Sequence, residues 1–286
     1  AYEIVDCDWS SDVCSSDLEV AAAGGHHLAL LGPPGVGKTL LAERLPTILP
    51  PLEQDEALEV TAVQSIISDR PVTLQSAPPF AAPHHGSSPA ALIGGGAVGS
   101  PRVGLITAAH RGVLFLDEAP EFAVNALEAL RQPLESGSIA IARSGFAVVL
   151  PARFQLVIAA NPCPCGLAFD ARGRCTCTPS QRRGYLGRIS GPLMDRIDVR
   201  TILEAPSAAD VALGSTAAPE SSADVAARVA HARDGALGLN AAKDLFVEHP
   251  SRSRKGSIDD ELHGGLLLIL GNQIVHATFL PNLLLL

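Results

Sequence analysis

The chain has 286 residues, of which 47% are apolar, 18% charged and 4% aromatic, and its formal net charge at pH 7 is −9. This size and apolar fraction suffice for one large or two modest globular domains with mainly aliphatic cores. The negative charge argues against a surface that coats nucleic acid generally, and no run reaches the about eighteen apolar residues that a membrane-spanning helix needs. We therefore expect a cytoplasmic protein without a membrane partner.

The N-terminal segment, residues 1–18, is rich in Ser and Asp and shows neither a period of two nor one of 3.6. Its stretch CDWSSDVCSSDL resembles the translation of a sequencing-library adapter. We predict an artefactual or disordered segment without function, and Cys7 and Cys14 are excluded from every candidate site.

Short apolar runs alternate with helical patterns in residues 19–206. Four runs predict buried strands: HLALLG at 27–32, VLFLD at 113–117, FQLVIAAN at 154–161 and VRTILEAP at 199–206. The helical patterns TLLAERLPTIL and VNALEALRQPLES follow the first two runs, which predicts an α/β fold with a parallel sheet. The segment IAIARSGFAVVLP at 139–151 breaks this alternation and predicts a β-hairpin around a Ser-Gly turn.

The C-terminal part of the chain has weaker patterns. Residues 207–234 contain two amphipathic stretches, SAADVAL and SADVAARVAHARD, which predict short helices. Beyond Asp234 the periodicity is lost, and residues 235–286 stay unassigned, as a frame-shifted tail would be. The predicted organisation is therefore a core at 19–206, the start of a helical lid at 207–234 and an unassigned tail.

A glycine-rich motif lies between the first predicted strand and the first predicted helix. It has the form G-x-x-x-x-G-K-[ST] and consists of Gly32, Pro33, Pro34, Gly35, Val36, Gly37, Lys38 and Thr39. Its glycines let backbone N–H groups turn toward phosphate oxygens at the positive end of a helix. Lys38 would reach the β- and γ-phosphates, and Thr39 would bind Mg²⁺. The motif predicts a nucleoside triphosphate site.

Polar side chains stand at the ends of the next two predicted strands. Asp117 and Glu118 follow VLFL, at the sheet edge where open α/β sheets bind ligands. Asp117 fits the water shell of Mg²⁺, and Glu118 fits a general base for the attacking water. A simpler reading is an acidic pair that caps a helix. Asn161 would hold the attacking water or sense the γ-phosphate, or would serve only as a turn residue before proline.

Four cysteines come shortly after Asn161. Cys163, Cys165, Cys175 and Cys177 form two C-x-C pairs with residues 166–174 between them. Four thiolates from two turns can close a tetrahedral Zn²⁺ site of the structural kind, although this spacing is tighter than the usual C-x₂-C. Two disulfides or free thiols are the alternatives.

Long strings between Glu19 and Pro206 resemble the magnesium-chelatase-like AAA+ ATPases of the YifB/ComM competence-protein family. They are AAAGGHHLALLGPPGVGKTLLAERLPTILP, APHHGSSPAALIGGG, HRGVLFLDEAPEF, LRQPLESG, PARFQLVIAANPCPCG and YLGRISGPLMDRID. The resemblance implies a P-loop NTPase core of the AAA+ type, a parallel sheet flanked by helices, with β-hairpin insertions and an incomplete helical lid. It also implies ATP and Mg²⁺ as cofactors.

The same resemblance implies a ring-shaped homo-oligomer, a hexamer, with ATP at each subunit interface. Arg196 matches the arginine finger that would act in the neighbouring subunit's site. Arg188 is the second candidate for that role, and an ion pair with a nearby aspartate is the structural alternative for Arg196. The predicted hairpin would point into the pore, where Arg143 would contact a DNA phosphate or lie solvated.

Two further features lie outside the nucleotide motifs. His84 and His85 belong to the PHHG string, and adjacent residues of an extended segment point to opposite faces, so we predict structural or interface roles for them. Residues 171–194 hold five arginines and no acid. This stretch predicts either a DNA contact through counterion release or an interface with an acidic neighbour.

The residues and the resemblance together predict Mg²⁺-dependent ATP hydrolysis by a ring-forming motor that acts on DNA. By resemblance to the ComM-type proteins, its work would be branch migration in natural transformation. One alternative is a chelatase-type motor subunit for Mg²⁺ insertion into a porphyrin, and another is a non-catalytic, ATP-gated scaffold.

Overall fold

The structure is a computed structural model that describes residues 12–68, 71–97, 100–143, 146–168, 174–203, 220–244, 266–270 and 273–277. The strands are β1 (Leu28–Leu31), β2 (Phe80–Ala81), β3 (Gly94–Ala97), β4 (Ser100–Val103), β5 (Val113–Leu116), β6 (Ser138–Arg143), β7 (Phe146–Pro151), β8 (Gln155–Ala160), β9 (Val199–Ile202), β10 (Leu266–Leu270) and β11 (Gln273–Ala277). The helices are α1 (Asp12–Gly24), α2 (Lys38–Ile48), α3 (Gln54–Ile67), α4 (Pro89–Ile93), α5 (Leu105–Ala108), α6 (Val124–Glu128), α7 (Arg131–Ser136), α8 (Pro179–Leu186), α9 (Gly191–Met194) and α10 (Ser222–Asp244), with a 3₁₀ turn at Ala119–Glu121.

Five strands form one parallel sheet in the order β2-β5-β8-β1-β9. The predicted α/β fold is confirmed, and each of the four predicted apolar runs contains one of these strands. Because all five strands run in the same direction, their carboxyl ends lie along one edge of the sheet. The ends of β5, β8 and β1 are therefore neighbours at that edge.

The sheet is covered on both faces, as its continuous apolar strands require. All residues of β5 and β8 are buried. Alternate residues of β5 point to opposite faces, so Leu114 and Leu116 join one hydrophobic cluster while Val113 and Phe115 join the other. The first cluster includes residues of α4 to α6 and α9, and the second includes residues of α1, α2 and α10.

The predicted helix VNALEALRQPLES is two helices, α6 and α7. The break has a local cause, because Pro133 has no N–H to donate to the carbonyl of Ala129. The peptide of Leu130 instead makes a shorter-range bond to the Leu127 carbonyl at 3.1 Å. Helix α7 then ends at Gly137, whose φ of 63° is left-handed.

Helix α1 begins at Asp12, so residues 12–18 are helical where the sequence indicated disorder. Leu18 is 1% exposed and packs in the second cluster, and Thr201 of β9 donates a hydrogen bond to Asp17 at 2.8 Å. Burial raises the pKa of Asp17. Leu18, Ala21 and Ala22 recur at helical spacing, a pattern that crosses the expected boundary at residue 19. Cys7 lies outside the described residues.

Helix α10 contains the predicted pattern SADVAARVAHARD and continues to Asp244, beyond its predicted end. Val225 and Val229 are buried in the second cluster. Arg228 binds both Glu19 carboxylate oxygens at 2.8 Å and also contacts Glu220. The first turns of α10 thus belong to the same core as the sheet. The other predicted helix, at 207–213, lies outside the described residues.

The chain divides into two compact units, Ala1–Val229 and Ala230–Leu286. In the first unit β6 pairs antiparallel with β7, which confirms the predicted hairpin, and β3 pairs with β4 in a second hairpin. In the second unit β10 pairs antiparallel with β11, a hairpin that the sequence did not predict. None of the helices within the described residues is both long and apolar enough to cross a membrane.

The sheet's centre should carry the stability of the first unit. Leu156 in β8 is 0% exposed, whereas Val149 on the β6–β7 hairpin is 67% exposed. We expect Leu156→Ala to lower the free energy of unfolding by about 2–5 kcal/mol, and Val149→Ala to lower it by less than about 1 kcal/mol. Denaturant unfolding followed by circular dichroism measures both, and equal losses would contradict this core assignment.

Candidate functional site

The glycine-rich loop continues directly from β1 at the edge of the sheet. The Gly32 N–H donates to the Ala160 carbonyl at 3.1 Å, so the loop starts in register with β8. Gly35 and Gly37 have φ values of 81° and 92°, in the left-handed region that favours glycine. Helix α2 begins immediately afterwards at Lys38. The loop therefore wraps the N-terminus of a helix, as the motif predicts.

Lys38 is only 8% exposed, and its ammonium is held by oxygen atoms from two strand ends. Its Nζ donates to the carbonyls of Gly32 at 2.7 Å and Pro33 at 2.8 Å, and to Asn161 Oδ1 at 3.1 Å. Burial lowers the pKa of Lys38, while the nearby carboxylates after β5 oppose that shift. Three acceptors match the three N–H groups of the ammonium.

Thr39 and Asp117 form the second part of the site. The Thr39 hydroxyl donates to Asp117 Oδ2 at 2.8 Å, and the other carboxylate oxygen accepts the Glu118 N–H at 2.9 Å. Hydroxyl and carboxylate oxygens are the ligands that Mg²⁺ prefers. The two residues predicted to bind Mg²⁺ are therefore in direct contact, and their donor atoms fit that ion.

Glu118 has a left-handed backbone, with φ of 50°, and its side chain is half exposed. His85 Nδ1 lies 3.3 Å from Glu118 Oε2. The rings of His84 and His85 are 4.1 Å apart, so the expectation that they point to opposite faces is wrong. The reason is that they do not lie in a strand: the Ser87 N–H donates to the His84 carbonyl at 2.8 Å, which closes a turn.

Tyr185 was not identified by sequence reasoning, yet it contacts the site. It lies on α8, is 6% exposed and hydrogen-bonds the side chain of Asn161. Burial raises the pKa of Tyr185 to about 12, and the negative charges of Glu121 and Glu118 act in the same direction. A lone tyrosine on a short helix has no sequence signature, and only the family string YLGRISGPLMDRID contained it.

Arg196 contacts its own chain. It forms an ion pair with Glu135 and donates a hydrogen bond to the Pro192 carbonyl. The structural alternative considered for it, an ion pair with Asp195 or Asp198, is not the contact that the structure gives. Asp198 instead accepts the His27 N–H at 3.0 Å.

Arg188, the second finger candidate, pairs with Glu121 at 3.5 Å. Within the basic stretch, Arg182 Nε donates to the Cys177 carbonyl at 3.2 Å, while Arg183 is exposed. Arg172 and the side chain of Arg143 lie outside the described residues. These contacts lie within one chain and do not test a contact with a neighbouring subunit or with DNA. Those roles of the arginines stay predictions.

The four predicted cysteine ligands come together. The thiol of Cys163 is buried and that of Cys165 is exposed. Their sulfur atoms are 3.3 Å apart, and Cys175 Sγ lies 3.7 Å from the first and 3.5 Å from the second. All four sulfur atoms, that of Cys177 included, lie within 4.8 Å of one another. A hydrogen bond from the Leu167 N–H lowers the pKa of Cys165 to about 6.

The contacts place the glycine-rich loop, the acidic strand end and Asn161 at one sheet edge. A buried ammonium beside a helix N-terminus fits phosphate oxygens, and Thr39 with Asp117 fits a divalent cation. An exposed carboxylate, that of Glu118, stands next to this pair. The arrangement has the groups needed to bind a nucleoside triphosphate and to activate a water against it.

Curated relatives cover most of this chain. It is 54% identical over 223 residues to the uncharacterized protein Rv2897c of Mycobacterium tuberculosis, which is 77% of this chain and 43% of that protein. It is 49% identical over 219 residues to YifB of Escherichia coli and 45% identical over 220 residues to competence protein ComM of Haemophilus influenzae. Each of these two matches covers 76% of this chain and 42% of the relative. The chain thus spans less than half the length of these relatives.

Among solved structures, NtrX from Brucella abortus, crystallised in complex with ATP, is similar with a TM-score of 0.46 and 16% identity. The match covers 72% of this chain and 39% of that one. The family described as magnesium chelatase, subunit ChlI, matches residues 10–211, which include every residue of the site above. The chain therefore belongs to this family of AAA+ ATPases, and within it to the YifB/ComM group.

Proposed function

We propose that this chain is the ATP-hydrolysing part of a ring-forming AAA+ motor that acts on DNA. The observation that carries the proposal is the contact of Lys38 with Asn161 beside the contact of Thr39 with Asp117. Two of these side chains, Lys38 and Thr39, come from the start of α2, and the other two follow the ends of β5 and β8. They form one phosphate and cation site rather than separate surface features.

ATP and Mg²⁺ are the cofactors that fit this site. Lys38 and the N–H groups of the glycine loop would hold the phosphates, and Thr39 with Asp117 would hold Mg²⁺. Bound Mg²⁺ neutralises charge that develops on the phosphate oxygens. The 2.8 Å hydrogen bond from the Thr39 hydroxyl to the Asp117 carboxylate supports this fit, because it holds the two oxygen ligands next to each other.

Glu118 is the proposed general base, because its exposed carboxylate can accept a proton from the attacking water. Asn161 is the proposed sensor, since its amide already interacts with Lys38. Tyr185 is a positioning residue that acts through Asn161. His85, 3.3 Å from Glu118, holds the carboxylate at the mouth of the site.

We propose a hexameric ring in which Arg196 completes the site of the neighbouring subunit. The family resemblance supports this assignment, and a guanidinium supplied in trans stabilises γ-phosphate charge. In the single chain Arg196 pairs with Glu135. Ring assembly would have to replace that ion pair with the contact to nucleotide.

DNA is the proposed substrate, and branch migration in natural transformation the proposed work. The relative named competence protein ComM supports this choice over porphyrin metallation. Exposed Arg183 provides a local positive charge in a chain of net charge −9.

We place the motor in the cytoplasm, where ATP is abundant and thiols stay reduced. We also propose a structural Zn²⁺ at the four cysteines.

Lys38→Ala should abolish most of the affinity for ATP. The variant loses charge-assisted hydrogen bonds to phosphate, each worth about 1.5–3 kcal/mol, so the Kd for a fluorescent ATP analogue should rise at least about tenfold. Lys243→Ala, in α10, is the matched control and should bind like the parent chain. An unchanged Kd in Lys38→Ala would show that the phosphates bind elsewhere.

Glu118→Gln should still bind ATP but lose turnover by a factor of about 10²–10⁴, because an amide cannot accept the proton. The measurement is phosphate release by the 286-residue chain, with and without branched DNA, at matched ring concentration. We expect DNA to stimulate the parent chain and Glu43→Gln, an exposed change on α2, equally. Nucleotide binding without turnover in the parent chain would instead support the ATP-gated scaffold.

A mixing experiment tests whether Arg196 acts in trans. Arg196→Ala alone and Glu118→Gln alone should each turn over ATP at least about 10²-fold more slowly than the parent chain. Mixed rings contain some interfaces with an intact Glu118 facing an intact Arg196, so the mixture should regain measurable turnover. Glu135→Ala removes the same ion pair and should stay active. A mixture as inactive as its components would exclude the trans role.

A further inference from the structure

The four-cysteine cluster (Cys163, Cys165, Cys175 and Cys177) joins two segments that both contact the nucleotide site. Its first pair follows Asn161 at the end of β8, and its second pair ends next to Thr178, the residue that caps α8. Residues 169–173 of the intervening loop lie outside the described residues. The cluster therefore ties a strand end to the helix that carries Tyr185.

The sulfur positions fit a metal centre better than disulfides. A disulfide holds its sulfur atoms about 2.05 Å apart, whereas three of the distances within the cluster are 3.3, 3.5 and 3.7 Å. With Zn–S bonds of about 2.3 Å, the sulfur atoms of a tetrahedral site lie roughly 3.8 Å apart. Four thiolates without an open position are the ligand set of structural zinc.

The turn after the first cysteine pair packs against the phosphate loop. The Gly166 N–H donates to the Cys163 carbonyl at 2.9 Å, and Gly166 has a left-handed φ of 77°. A Cβ atom at Gly166 would lie 2.6 Å from Cδ of Pro34. The turn that holds Cys163 and Cys165 is thus in direct van der Waals contact with the glycine-rich loop, at a position where only glycine fits.

A second route runs through α8. The capping residue Thr178 follows Cys177, and Arg182 Nε on the first turns of the helix donates to the Cys177 carbonyl. The same helix holds Tyr185 against Asn161, whose amide oxygen accepts from Lys38. The cluster is therefore connected to the phosphate site by two sets of contacts. One is the contact of Gly166 with Pro34, and the other runs through α8 and Asn161 to Lys38.

We propose that the four cysteines bind one Zn²⁺ and that this centre braces the phosphate loop in its nucleotide-binding shape through the contact of Gly166 with Pro34. The brace rests on the proposed function only in treating that loop as the nucleotide-binding element. Neither cysteine pair has a helix or strand of its own to fix it, so metal binding supplies the order that local structure does not. Loss of zinc would loosen the loop before it unfolds the sheet.

Metal analysis tests the centre itself. Zinc and iron are measured in the purified full chain by mass spectrometry, and we expect about one zinc per chain. Cys165→Ser and Cys175→Ser should each lose it, and Cys14→Ser, in α1 outside the cluster, should keep it. Metal-free protein that does not take up added Zn²⁺, or protein that holds only iron, would overturn the zinc assignment.

Hydrogen exchange tests the brace without relying on ATP. Peptides that cover residues 32–38 should exchange several-fold faster in Gly166→Ala than in the parent chain, with zinc retained. Gly25→Ala is the matched control, because Gly25 also has a left-handed φ, of 65°, and a Cβ there meets nothing within 4 Å. Cys175→Ser should show the same acceleration. Peptides from α3 report global unfolding and should exchange unchanged in Gly166→Ala.

The exchange and binding measurements test the brace and the proposed function separately. Equal exchange of the phosphate-loop peptides in the zinc-loaded parent chain and zinc-loaded Gly166→Ala would overturn the brace. Should a cysteine variant fail to fold, Gly166→Ala still tests it, because its ligands are intact. A chain whose loop is protected by zinc but which binds no ATP would contradict the proposed function and leave the brace standing.

Discussion

The buried ammonium of Lys38 is the group on which the geometry of the site depends. Burying a charge is costly unless hydrogen bonds compensate it, and its three acceptors come from Gly32, Pro33 and Asn161. Those acceptors belong to the ends of β1 and β8, so the two strands must end level with each other. Parallel pairing that aligns Leu31 with Ala160 meets this requirement.

The strand order then determines which side chains lie beside Lys38 and Asn161. Because β8 separates β1 from β5, the acidic strand end lies one strand beyond Asn161 and is reached by the first residue after the lysine, Thr39. Both faces of the sheet are covered by apolar clusters, so the polar groups can meet only at the carboxyl edge. The cysteine cluster lies near that edge as well, so the proposed zinc centre is next to the phosphate loop rather than on a remote surface.

The sequence alone is sufficient to predict those features that depend on a local pattern of residues. The strands are continuous apolar runs, and the phosphate loop has fixed spacing, so the sequence alone predicts the roles of Lys38 and Asp117. Contacts between distant side chains leave no such pattern, which is why Tyr185 against Asn161 was not predicted. Arg196 illustrates the same limit, because the aspartates beside it in sequence were considered as partners while the structure pairs it with Glu135, sixty-one residues away.

A crystal structure of the chain with Mg²⁺ and a non-hydrolysable ATP analogue tests the central claim most directly. We expect the β- and γ-phosphates to lie against Lys38 and the glycine loop, with Mg²⁺ held at the contact of Thr39 and Asp117. Asn161 should remain within reach of the γ-phosphate. An analogue bound at another surface, or bound nucleotide whose Mg²⁺ lies away from Thr39 and Asp117, would contradict this placement.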